Sequence, residues 1–150
     1  MSSNFVAAID LGSNSFHMIV ARISNGHVQI LDRLREMVQL AAGLDRHHRL
    51  SAESQQRALD CLARFGQRLR HIPSARLRIV GTNTLRQARN SAGFVARAEQ
   101  LLGHRVEIVS GQEEARLIYL GVAHSVGDVA TQRLVVDIGG GSTELIIGEQ

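Results

Sequence analysis

The chain has 150 residues, 44% of them hydrophobic and 21% charged, enough apolar material to close one ordinary core and too much for a disordered segment. All 17 of its Lys+Arg residues are arginine, so the lysine of a phosphate-loop NTPase, a Schiff-base lysine and a kinase-type lysine are excluded. The net charge of +3 divides into +8 over residues 1–105 and −5 over 106–150, a distribution that suits an anionic substrate beside a carboxylate cluster and equally an ordinary solvated surface.

Phe5 to Ile9 reads as a short strand ending at Asp10, with the turn Leu11-Gly12-Ser13-Asn14-Ser15 leading into a second strand, Phe16 to Ile23. Asn25-Gly26 is a hairpin turn into a third strand, His27 to about Leu40. In the polar loop 41–50, His47-His48 beside Asp45 lacks metal-ligand spacing and reads as solvated. Ser51 is the N-cap of a helix whose Leu59, Leu62, Phe65, Leu69 and Ile72 recur at helical spacing up to Pro73, with Arg57, Arg64 and Arg68 on a solvated face. Leu77 to Val80 is a strand broken by Gly81-Thr82-Asn83. A helix from Ser91 to Leu102 and a strand from Val106 to Val109 complete a parallel crossover.

Ser110 and Glu113 fit a capping box, with Glu113 reaching back to the N-cap of a helix that runs to about Ser125. After a looser stretch, 126–132, come the strand Leu134 to Val136, then Asp137-Ile138-Gly139-Gly140-Gly141-Ser142-Thr143-Glu144, then a strand Leu145 to Gly148. Cys61, the single cysteine, excludes an internal disulfide and reads as a helical hydrophobe. No secretory signal and no apolar stretch near ~18 residues is present, which makes a cytoplasmic protein the expectation.

The segment AAIDLGSNSFHMIV (7–20) repeats as LVVDIGGGSTELII (134–147), with Asp10 over Asp137, Gly12 over Gly139 and Ser15 over Ser142 without a gap. Strand-Asp-x-Gly-x-x-Ser-strand makes a tight hairpin. Its glycines permit positive φ and close approach of an anion, and its backbone N–H groups cradle phosphate without lysine. The aspartate at the strand end is placed to hold a divalent cation.

The paired hairpins resemble the phosphate loops of the actin-like ATPase superfamily. DLGSNSFHM, GTNTLRQARN, SGQEEARLIYLG and DIGGGSTEL in that order resemble the exopolyphosphatase and guanosine pentaphosphate phosphohydrolase family over essentially the whole chain. The resemblance implies an α/β, ribonuclease H-like lobe with a mixed central sheet, three antiparallel strands followed by parallel ones, and flanking helices in three layers. It implies a first lobe over 1–125 and, over 126–150, a linker and the first hairpin of a second lobe, with that hairpin's edges and apolar face uncovered. Because family members are longer, the chain is expected to be an N-terminal piece, inactive alone, of a protein that forms a homodimer.

By the same resemblance Glu114 is the general base that activates the attacking water; on residues alone the favoured reading is a helix-dipole acid in the first turn. Asp137 and Glu144, on opposite arms of the second hairpin, would share Mg²⁺. Asp10, Gly12, Ser13, Asn14, Ser15, Gly139, Gly140, Gly141, Ser142 and Thr143 would contact phosphates, and Arg86 would face them with its planar guanidinium. Ser and Asn are also ordinary turn residues, and His17 either lines the cleft or alternates along a strand.

The expected activity is hydrolysis of terminal phosphate from inorganic polyphosphate. IVGTNTLR and DIGGGSTEL place the chain nearer exopolyphosphatases than phosphohydrolases of guanosine pentaphosphate, the alternative substrate. An ATP-dependent kinase or actin-like ATPase shares the loops. A non-catalytic polyanion-binding module would use the basic region, but only five aromatics argue against nucleic-acid stacking.

Overall fold

The computed structural model describes residues 4–126 and 132–149. Strands β1 (Phe5–Leu11), β2 (Ser15–Ser24) and β3 (His27–Met37) form an antiparallel meander, as the two turns dictate. Helix α1 (Ala52–Leu69) then crosses over so that β4 (Leu77–Gly81) pairs parallel with β1, and β5 (Glu107–Ile108) pairs parallel with β4. The sheet order is β3-β2-β1-β4-β5, the mixed sheet expected.

Period-two alternation decides which face of the sheet is buried. Ile9, Leu11, Phe16 and Met18 point to one side and lie against Leu59, Leu62, Phe65 and Leu69 of α1 and Phe94, Ala98 and Leu102 of α3 (Ser91–Leu102). Phe16, Phe65 and Phe94 are fully enclosed, each contributing about 1.5–3 kcal/mol by leaving water. Ser51 caps α1 as expected, its side chain accepting from the Ser54 N–H. The opposite face, carrying Ala8, Asp10, His17 and Ile19, is mostly open; Leu117 of α4 (Gly111–Val126) borders an apolar hollow of about 260 Å³ against it.

Several expectations change. β3 ends at Met37 rather than Leu40, because Val38 and Leu40 turn into the core, leading to a 3₁₀ turn over Ala41–Gly43. A five-residue helix, α2 (Asn83–Gln87), stands where only a break was read, and β5 shrinks to Glu107–Ile108. Half of the capping box forms: Ser110 Oγ accepts from the Glu113 N–H, but the Glu113 carboxylate turns to Arg116 and Arg78. The arginines of α1 are not simply solvated, since Arg64 pairs with Glu36, Arg68 with Asp32, and Arg57 donates to the Val38 carbonyl, fastening α1 to β3 and the segment just after it. Asp45 Oδ1 accepts from the His47 and Arg49 N–H groups, so that loop is an Asx-type turn.

The second hairpin is β6 (Gln132–Ile138) and β7 (Thr143–Glu149), a separate two-stranded sheet. Its inner face is covered by α4, with Tyr119 lying over Gly148 and Val135 buried, so the uncovered apolar face expected of it is the outer one alone. Its outer face remains open: Leu134, Val136, Ile138, Leu145 and Ile147 are 48–80% exposed. The looser stretch expected over 126–132 falls largely outside the described residues. No helix among the described residues is long and apolar enough to cross a membrane.

Candidate active site

The repeat read in the sequence is a repeat in register. β1 pairs with β2 so that Asp10 faces His17 and Leu11 faces Phe16; β6 pairs with β7 so that Asp137 faces Glu144 and Ile138 faces Thr143. Every partner in the second hairpin lies 127 positions after its counterpart in the first. Period-two geometry then puts Asp137 and Glu144 on the same face, directly across from one another.

The turns of the two hairpins meet. A Cβ on Gly140 would stand 2.9 Å from Asn14 Cβ, and one on Gly141 would stand 2.7 Å from both Ser13 Oγ and Asn83 Nδ2, so only glycine permits this approach. Asn83 Nδ2 donates to the Gly141 carbonyl at 2.7 Å, and Thr84 Oγ1 donates to Ser13 Oγ at 2.7 Å. The helix α2 is thus the bracket between the loops. The first loop is pinned from behind, its Ser13 and Asn14 carbonyls accepting from the Ala41 and Gln39 N–H groups. The expectation of positive φ is corrected: among described glycines only Gly26 and Gly103 adopt it, and Gly12 and Gly139 to Gly141 serve by close approach.

Between the loops lies a polar cleft of about 410 Å³. Asp10, Gly12, Ser13, Asn14 and Ser15 line one wall, Asp137 and Gly139 to Ser142 the other, and Glu114 of α4 reaches in from the first turn of its helix. His17, Thr82 and Arg35 also border it, while Arg86, Thr143 and Glu144 do not. Arg86 sits behind the acids: its Nη1 donates to Glu114 Oε2 at 2.7 Å and to the Val109 carbonyl at 2.8 Å, and its Nη2 lies 4.0 Å from Glu144 Oε1.

One oxygen each of Glu114, Asp137 and Glu144 lie within 4.8 Å of one another. The Glu144 side chain is only 9% exposed, and its Oε2 is buried without a hydrogen-bond partner among the described residues. A buried, unmatched carboxylate oxygen is costly unless a cation meets it, and an all-oxygen set is what a hard divalent ion takes. Asp10 opens onto the cleft, yet desolvation, with Glu114 and Asp137 adding like charge, pushes its pKa up to about 6. Such crowding of carboxylates is what a cation relieves.

Sequence reasoning missed Thr82, Asn83, Thr84 and Arg35. Thr82 and Asn83 read in the sequence as a strand break, Thr84 only as part of the GTNTLRQARN motif, and Arg35 as one arginine among many.

A sequence model of the Ppx/GppA phosphatase family matches residues 19–150. The chain belongs to this family. Among its Ppx/GppA relatives, the guanosine-5'-triphosphate,3'-diphosphate pyrophosphatase of Vibrio cholerae is 56% identical over 149 residues, and that of Vibrio vulnificus 57% over 148. Each match takes in 99% of this chain and 30% of the relative, so the chain spans 30% of the length of these relatives. Among Ppx/GppA structures, an exopolyphosphatase from Cytophaga hutchinsonii superposes with a TM-score of 0.88 at 32% identity, covering 97% of this chain and 46% of that one. The Aquifex aeolicus PPX-GPPA enzyme gives 0.86 at 30%, covering 97% and 48%. The sequence expectation of a nearer kinship to exopolyphosphatases gives way here, because these two relatives, at 56% and 57% identity, carry the guanosine name.

Proposed function

We propose that this chain carries the catalytic cleft of a guanosine pentaphosphate 5'-phosphohydrolase, a member of the family that removes terminal phosphate from a nucleotide rather than from inorganic polyphosphate. The convergence of Asp10, Glu114, Asp137 and Glu144 on two glycine-serine loops carries the assignment of hydrolysis. The 56% identity to the Vibrio cholerae relative favours the guanosine substrate.

In this reading the Ser13-Asn14 and Gly139 to Ser142 loops orient the terminal phosphoryl group by backbone and hydroxyl hydrogen bonds. Glu114 holds the attacking water in line. Arg86 occupies Glu114 Oε2 and so directs the other carboxylate oxygen to the water's proton. The water oxygen bonds to the terminal phosphorus as the bridging P–O bond breaks; the water proton passes to Glu114 and the bridging oxygen leaves with guanosine tetraphosphate. Asp137 and Glu144 fit a divalent cation such as Mg²⁺, which would neutralise charge on the phosphate oxygens.

The test is orthophosphate release by the natural-length protein from guanosine pentaphosphate and from polyphosphate, side by side with Mg²⁺. A higher kcat/KM on the nucleotide, lost by at least ~100-fold in Glu114→Gln, supports the reading. A higher value on polyphosphate returns the assignment to exopolyphosphatase, and full activity of the variant removes Glu114 as base.

A further inference from the structure

The charged rim of the cleft is lopsided. Asp10, Glu114 and Asp137 crowd one end, and among the described lining residues Arg35 is the only arginine. It comes from β3, two strands from Asp10, along a row in which Asp10 faces His17 and His17 faces Arg35. With strands about 4.8 Å apart, the Arg35 backbone stands about 10 Å from that of Asp10.

A bulge sets this row. From Ser24 opposite His27 to Ala21 opposite Ile30 the register of β2 and β3 is continuous; it then slips by one, so that Val20 faces Asp32. Without the extra residue Leu31, His17 would face Leu34, and Arg35 would point into the core. With it, Leu34 faces Met18 and packs on the core, while Arg35 reaches the open side with Nε 3.4 Å from Ser15 Oγ.

Arg57, Arg64, Arg68, Arg78, Arg86 and Arg116 each pair with a carboxylate, and Arg35 has no carboxylate partner among the described residues. His17, between the two ends, has its pKa lowered by burial and by Arg35, so near neutral pH it adds polarity without charge.

We propose that Arg35 and Ser15 form a second anion subsite, which takes a phosphate group remote from the one cleaved and makes the cleft prefer ligands with several phosphates. This rests on the reading of the cleft as a phosphate site. A guanidinium fork can hold two phosphate oxygens, and at that distance from the carboxylates it avoids their competition.

The test is calorimetric titration of the chain, with Mg²⁺, by tripolyphosphate and by orthophosphate. Arg35→Gln should weaken tripolyphosphate binding about 10- to 100-fold and change orthophosphate binding less than about two-fold. Arg35→Lys should recover part of the loss. Arg33→Gln, which removes the same charge from the same side of β3 outside the cleft, should change neither. GTP and guanosine pentaphosphate then locate the group: equal loss with both supports a subsite for the 5' chain, and loss confined to the pentaphosphate supports one for the 3'-diphosphate. Equal loss for orthophosphate and tripolyphosphate, an Arg33→Gln effect as large, no effect of Arg35→Gln, or wild-type protein without preference for tripolyphosphate would each overturn it. Because the titration reads binding alone, absence of nucleotide hydrolysis would sink the functional reading and leave this result standing.

Discussion

Replacing Arg86 by Met keeps an unbranched apolar stem and removes the charge and donors. The cost follows from what the guanidinium holds: one charge-assisted hydrogen bond to Glu114 and one to the Val109 carbonyl, with Arg86 23% and Glu114 14% exposed at the side chain. Losing a bond to a charged group costs about 1.5–3 kcal/mol, and stranding its buried partner a further 1–3. Residual water access favours the low end, about 3 kcal/mol, the lower edge for a broken buried pair. For a chain of this size that lowers Tm by about 6–12 °C in scanning calorimetry. Glu114→Gln in the Arg86→Met background should then cost less than in wild type, with about 1–3 kcal/mol of coupling. An Arg86→Met variant melting within a degree of wild type, or strict additivity of the pair, would refute the assignment of Arg86 as the clamp of the acidic cluster.

Asp10 predicts a pH dependence. Its pKa rises from 3.8 to about 6 on folding, so between those values the folded chain holds a proton that the unfolded chain has released, and stability falls as pH rises through that window. Asp10→Asn should therefore melt higher than wild type at pH 7 without added cation, the gap narrowing toward pH 4; a constant gap would contradict the shift. Phe65→Ala, at a fully enclosed site, should cost about 3–5 kcal/mol in urea unfolding. Gly140→Ala pushes a methyl into Asn14 and should weaken tripolyphosphate binding at least ~10-fold, about 1.4 kcal/mol, with the sheet intact by circular dichroism. Gly121→Ala, in an open stretch of α4, should instead raise stability by about 0.5–1 kcal/mol.

The meander, the crossover and the paired hairpins were legible because strand alternation, turn dipeptides and the spacing of Leu59, Leu62, Phe65 and Leu69 are local signals. The opposition of Asp137 and Glu144 followed from the same logic, since a tight turn fixes register. Arg86 resisted, because its partners arrive from α4, from the Val109 carbonyl and from β7, and nothing near residue 86 announces them. Arg35 resisted for a different reason: one extra residue between Ile30 and Asp32 reverses which side chains of β3 face the cleft, and alternation counted from Asn25-Gly26 gives the wrong side. The glycine turns were legible, but of the two reasons they suggest, positive φ and close approach of an anion, φ does not hold, and crowding between two loops distant in sequence is what excludes a side chain.

The two hairpins that wall the cleft have an order of assembly written into their separation. The first can zip up from the short turn Gly12 to Asn14 as soon as residues 5–24 exist. The second must find it across 127 residues, a closure costing about 4 kcal/mol of chain entropy before any contact repays it. Docking is then held by α4, by the Asn83 bond to Gly141 and by loop contacts, while five apolar side chains of the hairpin stay in water. The cleft is accordingly expected to form late and to open early. Amide exchange should show β6 and β7 losing protection well before β1 and β2, with Asp137 and Glu114 parted each time the hairpin lifts.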